Sequence, residues 1–182
     1  MSAPVWLVLG PPASGKGTQS ALLAQRLDAA HLSSGQALRD TRDETILARL
    51  ATGELARTPD FLHVVGEALA AVPADRAIVL DAVGRMLPEA EWLVGTLQAL
   101  GRPLRRVVYL DVDRAESLQR ARRRGRADDD DAAHPLRWQR FDEETRPVLA
   151  YYRDLGLLTE VDGSGSVDDV ATRVSAVAAI AD

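Results

Sequence analysis

Short runs of uninterrupted apolar residues alternate along this chain with stretches whose apolar positions recur every three or four residues. Val5-Trp6-Leu7-Val8-Leu9 is apolar throughout and stops at Gly10. Its length and β-branching predict a strand buried on both faces. Buried strands are likewise expected at Ala77–Asp81 and Val107–Asp111, a further strand at Leu157–Val161 closed by Asp162-Gly163, and a short one at His31-Leu32-Ser33 would complete five. Leu22, Leu23 and Leu27 share a helical face in Thr18–Leu27. Further helices are expected at Pro88–Leu100, Arg114–Arg123, Leu136–Leu155 and Val167–Ile180. Strands alternating with helices imply a three-layer α/β/α fold with a five-stranded parallel sheet.

Two segments break the alternation. Ser34–Val72 is helical in pattern without a long strand, and reads as a helical insertion at the rim of the sheet. Arg124–Pro135 is polar, with Gly125 and four consecutive aspartates, Asp128 to Asp131, and reads as a loop or short lid.

The first strand runs into Gly10-Pro11-Pro12-Ala13-Ser14-Gly15-Lys16-Gly17-Thr18, and a helix follows. Strand, glycine-rich turn and helix are the setting of a phosphate-binding loop. Backbone N–H groups converge on phosphate oxygens there, and the helix N-terminus adds its positive end. Ala13 to Thr18 are the expected ATP-binding residues, with Lys16 reaching the β- and γ-phosphates and Thr18 in the water shell of Mg²⁺. The bland alternative is an ordinary βα turn.

Composition sharpens this picture. Of 22 Lys and Arg residues, Lys16 is the sole lysine. A solvated surface cation can be arginine, whereas a position needing a compact ammonium on a flexible stem cannot. The net charge of −5 argues against general nucleic-acid binding. Hydrophobic residues make up 46 % of 182, enough for one domain's core, and no apolar run reaches the roughly 20 residues of a membrane helix. Cysteine is absent, which excludes disulfides and thiolate metal sites. The N-terminus does not read as a secretory signal. A cytoplasmic monomer without a membrane partner is the expectation.

The run GKGT resembles the adenylate kinase and nucleoside monophosphate kinase family, whose usual loop is GxPGxGKGT; Ala13 replaces a glycine. The resemblance extends over the whole chain. The family's STGDxxR is met by Ser33-Ser34-Gly35-Gln36-Ala37-Leu38-Arg39, where Gln36 replaces a carboxylate. GxLV survives partly as Gly53-Glu54-Leu55-Ala56, and DGFPR as Asp81-Ala82-Val83-Gly84-Arg85, which keeps only its ends. Arg120 to Asp129, with five arginines in seven positions, resembles the lid of the short-lid members, and without cysteines it is not a zinc-bearing lid.

What the resemblance implies is a P-loop NTPase-type kinase domain spanning 1–182, with a monophosphate-binding insertion at 33–62 and a short lid at 124–134. It implies transfer of the γ-phosphoryl of ATP to a nucleoside monophosphate, adenylate kinase-like, with Mg²⁺ accompanying ATP. Lys16, Arg85, Arg120, Arg126 and Arg137 would be the catalytic cations, Arg120 lying over the ATP base and Gly165 near its adenine. Ser34, Arg39, Glu54, Leu55, Ala56, Ala82, Arg85, Arg126 and Arg137 would hold the monophosphate, and Asp81 would hold Mg²⁺ through water. Arg122, Arg123 and Arg124 are expected to be plain surface cations, and Arg123→Ala to do little. Taken alone, Arg39 could be a solvated helix residue, and Asp81 could cap its turn.

Glu89 stands where the family places a glutamine that reads adenine. A carboxylate only accepts hydrogen bonds, which suits the N1 and N2 donors of guanine better than the N1 lone pair of adenine. Glu89 either reads the base in this altered way or turns aside, as an ion-pair partner or through a register shift at Ala82-Val83-Gly84. Two other functions remain open at this point: a P-loop kinase for GMP or another small acceptor, and a nucleotide-binding regulatory protein with little turnover.

Overall fold

The computed structural model describes residues 3–51, 58–124 and 133–179, with side chains left aside at 49–51, 124 and 133. Its sheet has five parallel strands, β1 (Val5–Leu9), β2 (Ala30–Ser33), β3 (Ile78–Asp81), β4 (Leu104–Asp111) and β5 (Leu158–Asp162), in the order β2-β3-β1-β4-β5. The apolar runs are continuous because both faces of the sheet are covered. From β1, Val5, Leu7 and Leu9 join one core with Ile78, Leu80, Val107 and Tyr109. Trp6 and Val8 face the other way and join Val79, Val108 and Leu110.

The helices α1 (Lys16–Arg26) and α9 (Val167–Ala179) cover the second face through Leu23, Ala24, Val170 and Val174. Over the first face lie α4 (Thr58–Ala70), α5 (Leu87–Ala99) and α8 (Arg146–Asp154), which contribute Val65, Leu69, Leu93, Leu97 and the fully buried Tyr152. The helical stretch after β2 contains α2 (Ser34–Asp40), α3 (Glu44–Ala51) and then α4. Among the described residues, no helix is long and apolar enough to cross a membrane.

One expected element is divided. In place of one helix over Leu136–Leu155 there are α7 (Ala133–Arg140), a π turn at Phe141–Thr145, and α8. Pro147 has no N–H to donate into a continuous helix. The chain takes up an extra residue before it, and Arg146 N–H bonds the Phe141 carbonyl. Phe141 is buried as a result, stacked on Tyr109 at 6.3 Å between ring centroids and edge-on to Trp138 at 5.6 Å.

The strand order reverses at β1. The chain leaves it for β2 and β3 on one side and reaches β4 and β5 on the other. The C-terminal ends of strands at such a point open into a crevice, which is where an open α/β sheet binds ligands. The helix α6 (Arg114–Arg124) follows β4 on this side.

Candidate active site

A cleft of about 1100 Å³ lies at this edge. The loop between β1 and α1 forms its floor. Gly10 has no room for a side chain, because a Cβ there would meet Ser14 Oγ at 2.6 Å and the Leu110 carbonyl at 3.1 Å. Gly15 ends the loop at φ 87°, and no side chain caps α1. The N-cap position thus offers no side-chain acceptor of its own to the first turn of α1, a helix N-terminus of the kind that suits an anion. Lys16 Nζ donates to the Pro11 carbonyl at 3.1 Å, so its ammonium arches over the loop. A Cβ on Gly17 would lie 3.3 Å from Asp81 Oδ2. A side chain after the lysine would therefore press on the carboxylate at the end of β3, and glycine leaves that carboxylate its place.

The acceptor side is built from α2 and the turn after β3. The buried Ser34 hydroxyl donates to the Ala82 carbonyl at 2.9 Å and ties the two together. Arg39 faces the cleft, and its Nη2 donates to Gln36 Oε1 at 2.9 Å. Gln36 Nε2 in turn donates to Asp40 Oδ1 at 2.8 Å. The glutamine that stands in place of a carboxylate thus orients the arginine through a relay of two hydrogen bonds.

The cleft's third wall comes from α6, α7 and the turn before α9. Arg120 is a brace: Nη1 donates to the Ser14 carbonyl at 3.1 Å, and Nη2 to the Gly163 carbonyl at 2.7 Å and to Glu116 at 2.5 Å. Arg137 reaches the cleft from α7, and Gly165, at φ 96°, from the turn before α9. Among the described residues six cations line the cleft, Lys16, Arg39, Arg85, Arg120, Arg123 and Arg137, against the carboxylates Asp40 and Asp81. In a chain of net charge −5, this is a local positive field suited to polyphosphate.

The structure brings together on this cleft Ala13 to Thr18, Ser34, Arg39, Asp81, Ala82, Arg85, Arg120, Arg137 and Gly165. Glu54, Leu55, Ala56 and Arg126 lie outside the described residues. One expectation is corrected. Glu89 does not line the cleft: its Oε2 accepts from the backbone N–H groups of Arg85 at 3.0 Å and Met86 at 3.3 Å. From the first turn of α5 it reaches back to the N–H groups of the N-cap Met86 and of Arg85 before it, one half of a capping box. Burial pushes its pKa up, opposed by the Met86 bond and the charge of Arg85. Arg123 is exposed, as expected of a surface cation, and it also borders the cleft. Its spacing of three from Arg120 on one helix was the available signal, because residues so spaced are neighbours on a helix surface.

A family model for adenylate kinase matches residues 8–157. The chain belongs to the adenylate kinase family. It is 36 % identical over 177 residues to an adenylate kinase of Parasynechococcus marenigrum (strain WH8102), covering 94 % of this chain and 96 % of that one. It is 34 % identical over 180 residues to an adenylate kinase of Stenotrophomonas maltophilia (strain K279a), with 93 % and 96 % covered. Membership makes it a nucleoside monophosphate kinase, an enzyme that passes a phosphoryl group from ATP to a nucleoside monophosphate.

Against the family's motifs, the two alanines that replace glycines keep left-handed backbone: Ala13 has φ 54° and Ala82 has φ 55°. Each costs on the order of 1 kcal/mol relative to glycine in that conformation. Gly84 stands where the family has proline, and its φ is 70°. Proline is confined near −65°, so the turn here follows another path than DGFPR can. That path sends Val83 into the core, fully buried. Restoring the family's proline singly is therefore expected to harm the protein. Gly84→Pro should cost about 2–3 kcal/mol, a fall in Tm of roughly 5–10 °C. Thermal melting followed by circular dichroism checks this, and an unchanged Tm would show that the turn tolerates both paths.

Proposed function

We propose that this cleft transfers the γ-phosphoryl of ATP to AMP, with the phosphate loop holding ATP and α2 with the β3–α5 turn holding the monophosphate. The observation that carries the reading is the convergence of Lys16, Arg39, Arg85, Arg120 and Arg137 on one crevice from separate stretches of the chain. Phosphoryl transfer asks for in-line positioning and for cations where charge spreads over the phosphoryl oxygens. Lys16 and the loop N–H groups would bind the β- and γ-phosphates. Arg39 and Arg85 would clamp the acceptor's phosphate, and Arg120 and Arg137 would stabilise the group in flight. Arg126 completes this set in the proposal.

Magnesium fits the residues present. Asp81 Oδ1 is buried with no hydrogen-bond partner among the described residues, and the carboxylate lies beside Gly17, which precedes Thr18 in the first turn of α1. A carboxylate left unpaired at that point needs a donor, which metal-bound water would supply. Among the described residues no group of three His, Asp or Glu side chains is placed to ligate a metal. The ion would then be held by the nucleotide's phosphates, with Asp81 and Thr18 in its water shell. When bound, it neutralises phosphate charge and helps to align the transferring group.

We assign 33–62 as the monophosphate-binding insertion and 124–134 as the lid; 52–57 of the one and 125–132 of the other lie outside the described residues. The net negative charge of the chain supports free nucleotides rather than nucleic acid as ligands.

A coupled assay with ATP and each of AMP, GMP, CMP and UMP tests the reading. AMP is expected to be the preferred acceptor, and absence of turnover with every monophosphate would overturn it. Because Glu89 is spent on capping α5, Glu89→Gln should change the AMP-to-GMP ratio of kcat/KM by less than about threefold. Loss of a base-reading contact would move that ratio by orders of magnitude.

A further inference from the structure

We propose that Ser117 is a positioning residue for phosphoryl transfer: its hydroxyl sets the Pro12–Ala13 peptide of the phosphate loop and ties the helix carrying Arg137 to that loop. This rests on the reading that the loop holds ATP.

Ser117 lies on α6 and is fully buried. Three groups meet its Oγ: the Pro12 carbonyl at 2.5 Å, Trp138 Nε1 at 3.0 Å and His134 Nε2 at 2.9 Å. The valences leave one assignment. A carbonyl only accepts and an indole N–H only donates, so the single hydroxyl proton goes to Pro12. Oγ then accepts from Trp138 and from His134, whose Nε2 carries the proton. His134 and Trp138 are one turn apart on α7, each 4 % exposed, and Arg137 sits between them in sequence and reaches the cleft. Trp138 is itself fixed, edge-on to Phe141 and with the Arg114 guanidinium 5.1 Å from its ring centroid.

The consequence for the loop follows from the planar trans peptide, whose C=O and N–H point to opposite sides. No peptide in the described chain is cis. Drawing the Pro12 carbonyl toward Ser117 turns the Ala13 N–H the other way. Arg120 acts likewise on the Ser14 carbonyl and so on the Gly15 N–H. Ala13 holds a left-handed φ of 54°, a conformation that persists in a residue with a Cβ only where its surroundings enforce it. Without the hydroxyl, the Pro12 oxygen loses its partner, and the peptide is free to present a carbonyl oxygen, in place of an N–H, to the phosphates. Neither Ser117 nor His134 stands out in the sequence, since three residues 17 and 21 apart along the chain form no local pattern.

The test is steady-state kinetics on Ser117→Ala, with ATP and AMP varied separately, beside its Tm. We expect kcat/KM for ATP to fall on the order of tenfold, the scale of one lost hydrogen bond, and KM for AMP to stay within about twofold. Ser117→Thr, which keeps the hydroxyl, should recover most of the loss. The Ala13 amide resonance should respond to ATP in the wild type and respond less in Ser117→Ala. A lower Tm with kcat and KM for ATP unchanged would show that the hydroxyl only packs, and would overturn the proposal. If Ser117→Ala does not fold, Trp138→Phe keeps an aromatic, though smaller, side chain there and removes one donor to Oγ. It should raise KM for ATP and leave KM for AMP alone, and unchanged kinetics there would also overturn it. A wild type without turnover would sink the assignment of function, while the Ala13 response to ATP would still judge the role of Ser117.

Discussion

Lys16→Ala should lower kcat by about 10²-fold or more, because it removes a preorganised cation from the place where charge develops on the phosphoryl group. Its ammonium donates to the Pro11 carbonyl from a half-buried position on the loop, and replacing a cation in that setting should change stability by no more than about 1 kcal/mol. The variant would thus be folded and nearly inactive. Lys16→Arg is expected to fail as a rescue. The guanidinium is broader and planar, and the floor of the loop is packed closely enough that Gly10 and Gly17 admit no side chain without a shift of neighbours. Single-turnover and steady-state rates with ATP and AMP check both variants. Turnover near that of the wild type in Lys16→Ala would remove the phosphate loop from the mechanism.

The second large effect is expected at Arg137. Arg137→Ala should lower kcat on the order of 10²-fold with little change in either KM, since an interaction made chiefly in the transition state raises the chemical rate without tightening ground-state binding. Arg140, on the same short helix but exposed and away from the cleft, is the internal control. Arg140→Ala should leave kcat within about twofold, as surface substitutions ordinarily do. Equal losses at the two positions would mean that the helix contributes only a general positive field. Arg123→Ala gives a graded comparison, because Arg123 lines the cleft from α6 and so is expected to lie between the two.

These expectations have different origins. Lys16 was legible in the sequence: a lone lysine in a glycine-rich turn between strand and helix already points to phosphate. The central strands β1, β3 and β4 were legible for the same kind of local reason, whereas the edge strands β2 and β5 are only partly buried and carry polar residues at His31, Thr159 and Glu160. A strand buried on both faces must be apolar at every position, and such runs are short, continuous and bounded by glycine or aspartate. What a local pattern cannot carry is the use made of a side chain by a distant partner. Glu89 follows an arginine by four residues, as the base-reading glutamine of the family does, yet its carboxylate closes the first turn of α5. Arg102 reads as one more cation, but it is buried and its guanidinium binds the carbonyls of Val72, Pro73 and Arg76, fastening the end of the α4 segment to the start of β4.

By itself, then, the sequence determined the alternation of strands and helices, the phosphate loop, and the identity of most of the cations around it. Each of these is encoded within about ten neighbouring residues, as periodicity or as a turn that only certain residues can make. The tertiary structure alone decided which arginines face the cleft, that Arg120 braces three segments, that the turn after β3 runs through two left-handed residues, and that Ser117 holds the Pro12 carbonyl. Those are matters of which donors and acceptors meet once the sheet has been assembled. Buried polar groups must find partners wherever the chain brings them, however far apart they stand in sequence.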